Sequence, residues 1–201
     1  MKQLSIAVTI FLFAFSIHAE EESEARVIAP IKKLIGSVRY SEKASTPAEK
    51  KTLEDRALEY IGSAQMADFL LGDYSAKATP EQKEKFASQI REYTRYKAFP
   101  LVNKYFKDID LTYEPPVING DKARVQSSVV YAGSERLTFS WVLTRVGDNY
   151  VITDFLDEKG TSTMQTNKDR QVQPTLKAKG IPGLLATMEG AVNQVKKAAG
   201  R

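Results

Sequence analysis

Residues 137–156 read LTFSWVLTRVGDNYVITDFL. Strand alternation places Leu137, Phe139, Trp141 and Leu143 on one side, with Thr138, Ser140 and Thr144 on the other. Gly147, Asp148 and Asn149 form a hairpin turn, and YVITDFL returns as the next strand. Four large apolar groups on one strand face need cover, supplied either by the protein's own core or by a guest. Upstream, KARVQSSVVY (122–131) alternates in the same way, with Ala123, Val125, Ser127, Val129 and Tyr131 on one face. AGSE (132–135) and NGD (119–121) are turns. LTYEPPVI (111–118), interrupted by Pro115 and Pro116, suits an edge strand.

Before residue 107 the period is helical. Val27, Ile31, Leu34 and Val38 recur at spacings of three and four. A second helix starts at Ser45 or Thr46 as N-cap with Pro47 at N1, and its buried stripe is Leu53, Ala57, Leu58 and Ile61 up to a break at Gly62. SAQMADFLLG is a short apolar helix ending at Gly72, with Met66, Phe69 and Leu70 on one face. The clearest helix starts at the N-cap Thr79, with Pro80 at N1 and Gln82 completing a capping box. Phe86, Ile90, Tyr93 and Lys97 follow one face of it. Pro100 is expected to kink or split it after Ala98. Residues 157–175 are polar and weakly patterned. A last short helix starts at Pro182 and buries Ile181, Leu184, Leu185 and Met188. Helices followed by three or four meandering antiparallel strands predict an α+β fold, with helices on one face of a twisted sheet and a helix at the C-terminus.

The first residues, MKQLSIAVTIFLFAFSIHA, have the layout of an export signal: an early Lys, an apolar run from Leu4 to Ile17, and small residues at Ser16 and Ala19. The run is short for a spanning helix, which needs about 20 apolar residues. We therefore expect residues 1–19 to be removed, leaving one domain over 20–201 in the periplasm. The sequence has no Cys, so a lipid-anchored Cys is excluded and stability must come from packing. The single His is His18, inside the signal. Without His or Cys, the mature chain lacks thiol nucleophiles, Ser-His-Asp triads and His-ligated zinc. Asp154, Asp157 and Glu158 are the nearest approach to an acidic cluster, and a strand-end cap accounts for them. The formal charge of +4 is mild and interleaved, and export argues against nucleic-acid binding.

Three stretches together resemble one family. They are LLGDYSAKATPEQKEKFASQIREY, the hairpin LTFSWVLTRVGDNYVITDF ending on Asp154, and LKAKGIPGLLATM. In order and spacing they are similar to the MlaC family, also called the toluene-tolerance auxiliary component of an ABC transport system. The resemblance runs from about Ala25 to Met188. Tyr150 departs from the Trp that usually opens the last strand, and Pro100 interrupts a helix that is often continuous.

The resemblance implies a periplasmic phospholipid carrier with an apolar pocket between helices and sheet. It implies traffic between an outer-membrane lipoprotein-porin complex and an inner-membrane ABC transporter with a lipid-binding substrate component. That traffic maintains outer-membrane lipid asymmetry. It implies a monomer with no cofactor and no metal. Lipid-contacting candidates are Val125, Val129, Phe139, Trp141, Leu143 and Ile152 on the sheet, facing Phe69, Phe86, Ile90, Tyr93 and Phe99 on the helices. Tyr96, Lys97, Lys104 and Tyr105 are candidates for the rim and the headgroup. Two other readings use the same residues. One is a carrier of hopanoids or other hydrophobic ligands. The other is a small pocket enzyme with Asp154 as its first suspect.

Overall fold

The structure is a computed structural model and describes residues 24–106, 110–131 and 135–200. The export signal at 1–19 and most of the turn at 132–135 lie outside the described residues. The hairpin forms as its alternation requires. Strands β1 (Thr112–Tyr113), β2 (Val117–Asn119), β3 (Lys122–Tyr131), β4 (Glu135–Val146) and β5 (Asn149–Leu156) make one antiparallel sheet ordered β1-β3-β4-β5, with β2 also on β3. Ala123 pairs with Leu143, Val125 with Trp141, and Ser127 with Phe139, so their side chains share one inner face.

A bulge decides which residues of β5 join that face. Val142 pairs with Asp154 but Leu143 pairs with Ile152, leaving Thr153 as the extra residue. The Thr153 hydroxyl donates to the Val142 carbonyl at 3.3 Å and lies 3.0 Å from the Thr144 hydroxyl. Strict alternation would turn Ile152, Asp154 and Leu156 inward. The bulge instead brings Ile152 and Phe155 in, opposite Leu143 and Trp141, and turns Asp154 out.

The outer edge of β5 is closed by the segment between the second and third helices. Ile61 bridges Ile152 in parallel, the Gly62 amide donates to the Ile152 carbonyl, and the Ile152 amide donates to the Tyr60 carbonyl. Only glycine fits at position 62. A Cβ there would lie 2.7 Å from Val151 Cγ2 and 2.8 Å from Thr153 Cγ2.

The helices divide between two cores. Helix α1 (24–41), α2 (Pro47–Leu58) and α5 (Phe99–Phe106) cover the inner sheet face. Their Val27, Ile31, Leu34, Val38, Ala57, Leu58 and Phe99 join the inner residues of β3, β4 and β5. The second core is all-helical. It gathers Met66, Ala67, Leu70 and Leu71 of α3 (Ser63–Leu71) with Phe86, Ala87 and Ile90 of α4 (Pro80–Tyr93). Val172 and, from α7 (Gln173–Ala198), Leu176, Ile181, Leu184 and Leu185 complete it. Ile61 packs against both cores.

The capping box predicted for α4 is present. Gln82 donates its amide to Thr79 Oγ1 at 3.3 Å, and the Thr79 amide donates to Gln82 Oε1 at 3.0 Å. Pro100 does not split the helix. A π-helical turn at Thr94–Ala98 connects α4 to α5, and Pro100 sits in the first turn of α5. The π turn inserts one residue, which rotates everything after it by about 100°. That is why α4 faces the helical core and α5 faces the sheet.

The polar stretch after residue 157 holds a helix that its composition concealed: α6 (Thr163–Asn167), followed by a second π turn at Lys168–Val172. Ser162 caps it, accepting from the Gln165 amide at 2.8 Å. The C-terminal helix breaks at Gly180, whose φ of 65° is left-handed, and resumes near Pro182 as the sequence predicts.

Arg95 of the first π turn is buried and reaches α2. It hydrogen-bonds Asp55 and lies 4.0 Å from Glu54 and 3.6 Å from Glu92. Burial works to raise the Asp55 pKa. Hydrogen bonds from Lys51 and Arg95, with their charges, outweigh it and hold the group below the ordinary carboxylate value. A carboxylate depressed in the folded state contributes stability above its unfolded pKa and loses it as pH falls through the folded value. Asp55→Asn should therefore be less stable near neutrality and show a shallower loss below about pH 4. Denaturation midpoints measured across that range check both points, and parallel curves for variant and wild type would contradict them.

Candidate functional site

The inner sheet face is more than a row of aliphatics. Four rings meet on it. Phe139 stacks on Phe155 at 5.0 Å between centroids and meets Trp141 edge-on at 5.8 Å. Trp141 also meets Phe155 edge-on at 5.4 Å, and Phe106 of α5 tilts onto Phe139 at 5.6 Å. Val125, Val129, Leu143 and Ile152 surround the rings. The bulge at Thr153 is a condition of this array, because it supplies Phe155.

Two polar atoms lie within the same layer, and a third is buried on α5. Trp141 Nε1, Ser127 Oγ and Asn103 Oδ1 are buried and have no hydrogen-bond partner among the described residues. Ser127 is 0% exposed and Trp141 6%. Ser127 faces Phe139 across the β3–β4 ladder, one diagonal step from Trp141. Asn103 lies one helical turn before Phe106 on α5. Buried indole N–H and hydroxyl groups ordinarily find partners, and leaving one unmade costs about 1–3 kcal/mol.

Beside this layer runs a groove of about 310 Å³ lined by Lys32, Ile35, Gly36, Arg39, Asp110, Leu111 and Tyr113. It belongs to α1 and the β1 segment. Tyr113 pairs directly with Ser127, so the groove adjoins the buried polar atoms. Lys32 Nζ stands 5.5 Å over the Tyr113 ring, and Arg39 lies 3.7 Å from the exposed Asp110. Burial pushes the Tyr113 phenol's pKa up; Arg39 pulls it down and Asp110 adds to the rise. Tyr113 thus remains a protonated donor at the groove wall. A Cβ on Gly36 would meet no heavy atom within 4 Å, so this glycine leaves the groove open.

The residues singled out from sequence are distributed as follows. Val125, Val129, Phe139, Trp141, Leu143, Ile152 and Phe99 come together in the sheet core. Phe86 and Ile90 do not face them. They belong to the helical core, and α1, α2 and α5 occupy the wall opposite the sheet. Phe69 is 41% exposed beneath Lys168 Nζ at 4.4 Å, because Met66, Ala67, Leu70 and Leu71 form the inward stripe of α3 and position 69 lies away from it. Tyr93 is half-buried. Lys196 lies over the Tyr96 ring at 5.4 Å, which turns that residue toward α7. Lys97 is exposed and Lys104 stacks on Tyr105 at 5.2 Å; the basic groups lining the groove are Lys32 and Arg39 instead. The π turn explains the difference, since it rotates the face that Lys97 was assigned to. The 32, 36, 39 stripe on α1 is legible as a helical spacing, but nothing in the sequence says that it borders the sheet face.

Asp154 is engaged structurally. One carboxylate oxygen accepts from the Phe155 amide at 2.7 Å and the Met164 amide at 2.9 Å, and the other accepts from the Ser162 hydroxyl. It ties β5 to the start of α6, on the side of the sheet away from the rings. Asp154→Asn should cost about 1–3 kcal/mol, the scale of hydrogen bonds to a charged group, without changing what the inner face binds. Urea midpoints and ligand occupancy measured on one preparation check this. Lost binding with intact stability would return Asp154 to the site.

Helices roofing one face of an open antiparallel sheet, with a ring-lined layer between them, define the class of α+β protein to which this chain belongs. The family model described as MlaC protein matches residues 26–190, and the chain belongs to that family. Among solved structures it is similar to the phospholipid-binding protein from Ralstonia solanacearum in complex with a phospholipid. The TM-score is 0.71 and the identity 15%, over 86% of this chain and 98% of that one. At that identity the likeness is one of fold.

Proposed function

We propose that this chain is a phospholipid carrier of the periplasm. It takes up single lipids and passes them between an outer-membrane lipoprotein-porin complex and an inner-membrane ABC transporter, and so preserves the asymmetry of the outer membrane. The observation that carries the reading is the inner sheet face, where four rings and an aliphatic surround enclose orphaned polar atoms beside a groove bearing Lys32 and Arg39. Membership of the MlaC family and the lipid-bound structural neighbour support it.

The physical demand on such a carrier is large. A two-tailed phospholipid carries roughly 30 methylenes at about 0.8 kcal/mol each, so exposing the tails to water costs on the order of 20 kcal/mol. Covering them takes an apolar layer and no acid, base or metal. The tails would spread the sheet from α1 and α5, and the headgroup would lie in the groove near Lys32 and Arg39. Among the described residues no helix is long and apolar enough to cross a membrane.

The test is native mass spectrometry of the exported protein purified without detergent, followed by solvent extraction. One phospholipid per chain is the expected result. A stably folded, lipid-free protein would make the inner face an ordinary core and overturn the proposal. A different extracted lipid would replace phospholipid as the cargo.

A further inference from the structure

We infer that Ser127 and Trp141 read the ester carbonyls of the bound lipid, so that the site selects diacyl esters over ether-linked chains of the same length, which lack those carbonyls. The inference rests on the carrier reading. The rings and aliphatics of the inner face ask nothing polar of a ligand, yet Trp141 Nε1 and Ser127 Oγ are buried on that face without partners among the described residues. A ligand of plain methylenes would leave these groups unpaired. A phosphate or ammonium brought to them would be a buried charge with no countercharge, and the cations that suit a phosphate, Lys32 and Arg39, line the adjoining groove. A neutral acceptor is what an indole N–H and a hydroxyl can satisfy inside an apolar layer. In a glycerophospholipid the ester carbonyls are the neutral acceptors, and they sit between the tails and the phosphate. Ser127 occupies the corresponding place, on the strand between the groove residue Tyr113 and the rings, and Trp141 carries its indole N–H at the near side of the ring array, one diagonal step away. They are diagonal neighbours on adjacent strands, and Ser127 pairs with the groove residue Tyr113.

The experiment is a competition. The full exported chain is incubated with vesicles holding equal amounts of phosphatidylglycerol with oleoyl ester chains and its dialkyl ether counterpart with oleyl chains. Occupancy by each is read by native mass spectrometry. The ester form should win by roughly five- to twentyfold, one to two net neutral hydrogen bonds, and Ser127→Ala should narrow the ratio by about fivefold. The chain has a single Trp, so its indole N–H gives one ¹H–¹⁵N resonance. That resonance should lie further downfield with the ester lipid bound than with the ether. Equal occupancy and an identical indole shift would overturn this inference and leave the carrier intact. Ser127→Ala that gains both lipids equally would also overturn it, by showing that the hydroxyl is only an unpaired burden. Binding of neither lipid would remove the carrier reading and this one together.

Discussion

Ser127→Phe should empty the protein of lipid and leave it folded. Ser127 is fully buried, its hydroxyl has no partner among the described residues, and it sits opposite Phe139 on the groove side of the ring array. A benzyl group there projects into the layer between β3, β4 and α5. If that layer exists to open around tails, the new ring occupies the space they would use. Bound phospholipid then falls from about one per chain to below detection, while the denaturation midpoint changes little. A layer that is a solid core gives the opposite pattern. Forcing a benzyl group into it displaces Phe139 or Tyr113 and costs about 1–3 kcal/mol or more. Lipid occupancy and the urea midpoint, measured on one preparation, separate the two. Full occupancy in a stable variant would show that the tails lie elsewhere.

Phe86→Ala should do the reverse. Phe86 is 1% exposed in the helical core, packed with α3 and α7 and away from the sheet. Removing a buried phenyl group costs about 3–5 kcal/mol when the surroundings cannot close over the space. Three helices meet there, and α4 is pinned at its start by the Thr79 capping box and beyond its end by Arg95. The cost should therefore stay near the upper end, with lipid occupancy in the folded fraction unchanged. Thermal unfolding and native mass spectrometry check the pair of outcomes. A small loss of stability with a large loss of lipid would put Phe86 back among the ligand contacts, where the sequence analysis placed it.

What could be read from sequence, and what could not, follows from the range of each interaction. The capping box at Thr79 and Gln82 and the hairpin at 147–149 are local, and both formed where predicted. The inner residues of β3 and β4 follow a two-residue period, so Val125, Phe139, Trp141 and Leu143 were found together. The bulge at Thr153 has no local signature. ITDF reads as plain alternation, and only the pairing of Leu143 with Ile152 shows that Phe155, not Asp154, turns inward. The π turns are equally silent. Pro100 is the one trace of the first, and it suggests a break where the chain instead gains a residue and rotates. That rotation separated Phe86 and Ile90 from Phe99 and Phe106, so one predicted wall became parts of two cores. Lys32 and Arg39 are ordinary surface positions by composition. Their place beside the site comes from how α1 lies on the sheet.

The closing of the sheet's edges bears on how the chain meets copies of itself. A strand with a free row of amides and carbonyls is a template for the next copy of the same chain. Here the Tyr60–Gly62 segment occupies part of β5's edge, and on the opposite side β1 and β2 are short and separated by Pro115 and Pro116. Gly62 allows the closure, since any side chain there would push the segment off Val151 and Thr153. The described sheet thus offers few places for fibre-like growth. A lipid carrier that opened around its cargo would gain from such protected edges, because self-pairing would be blocked while the apolar face was uncovered.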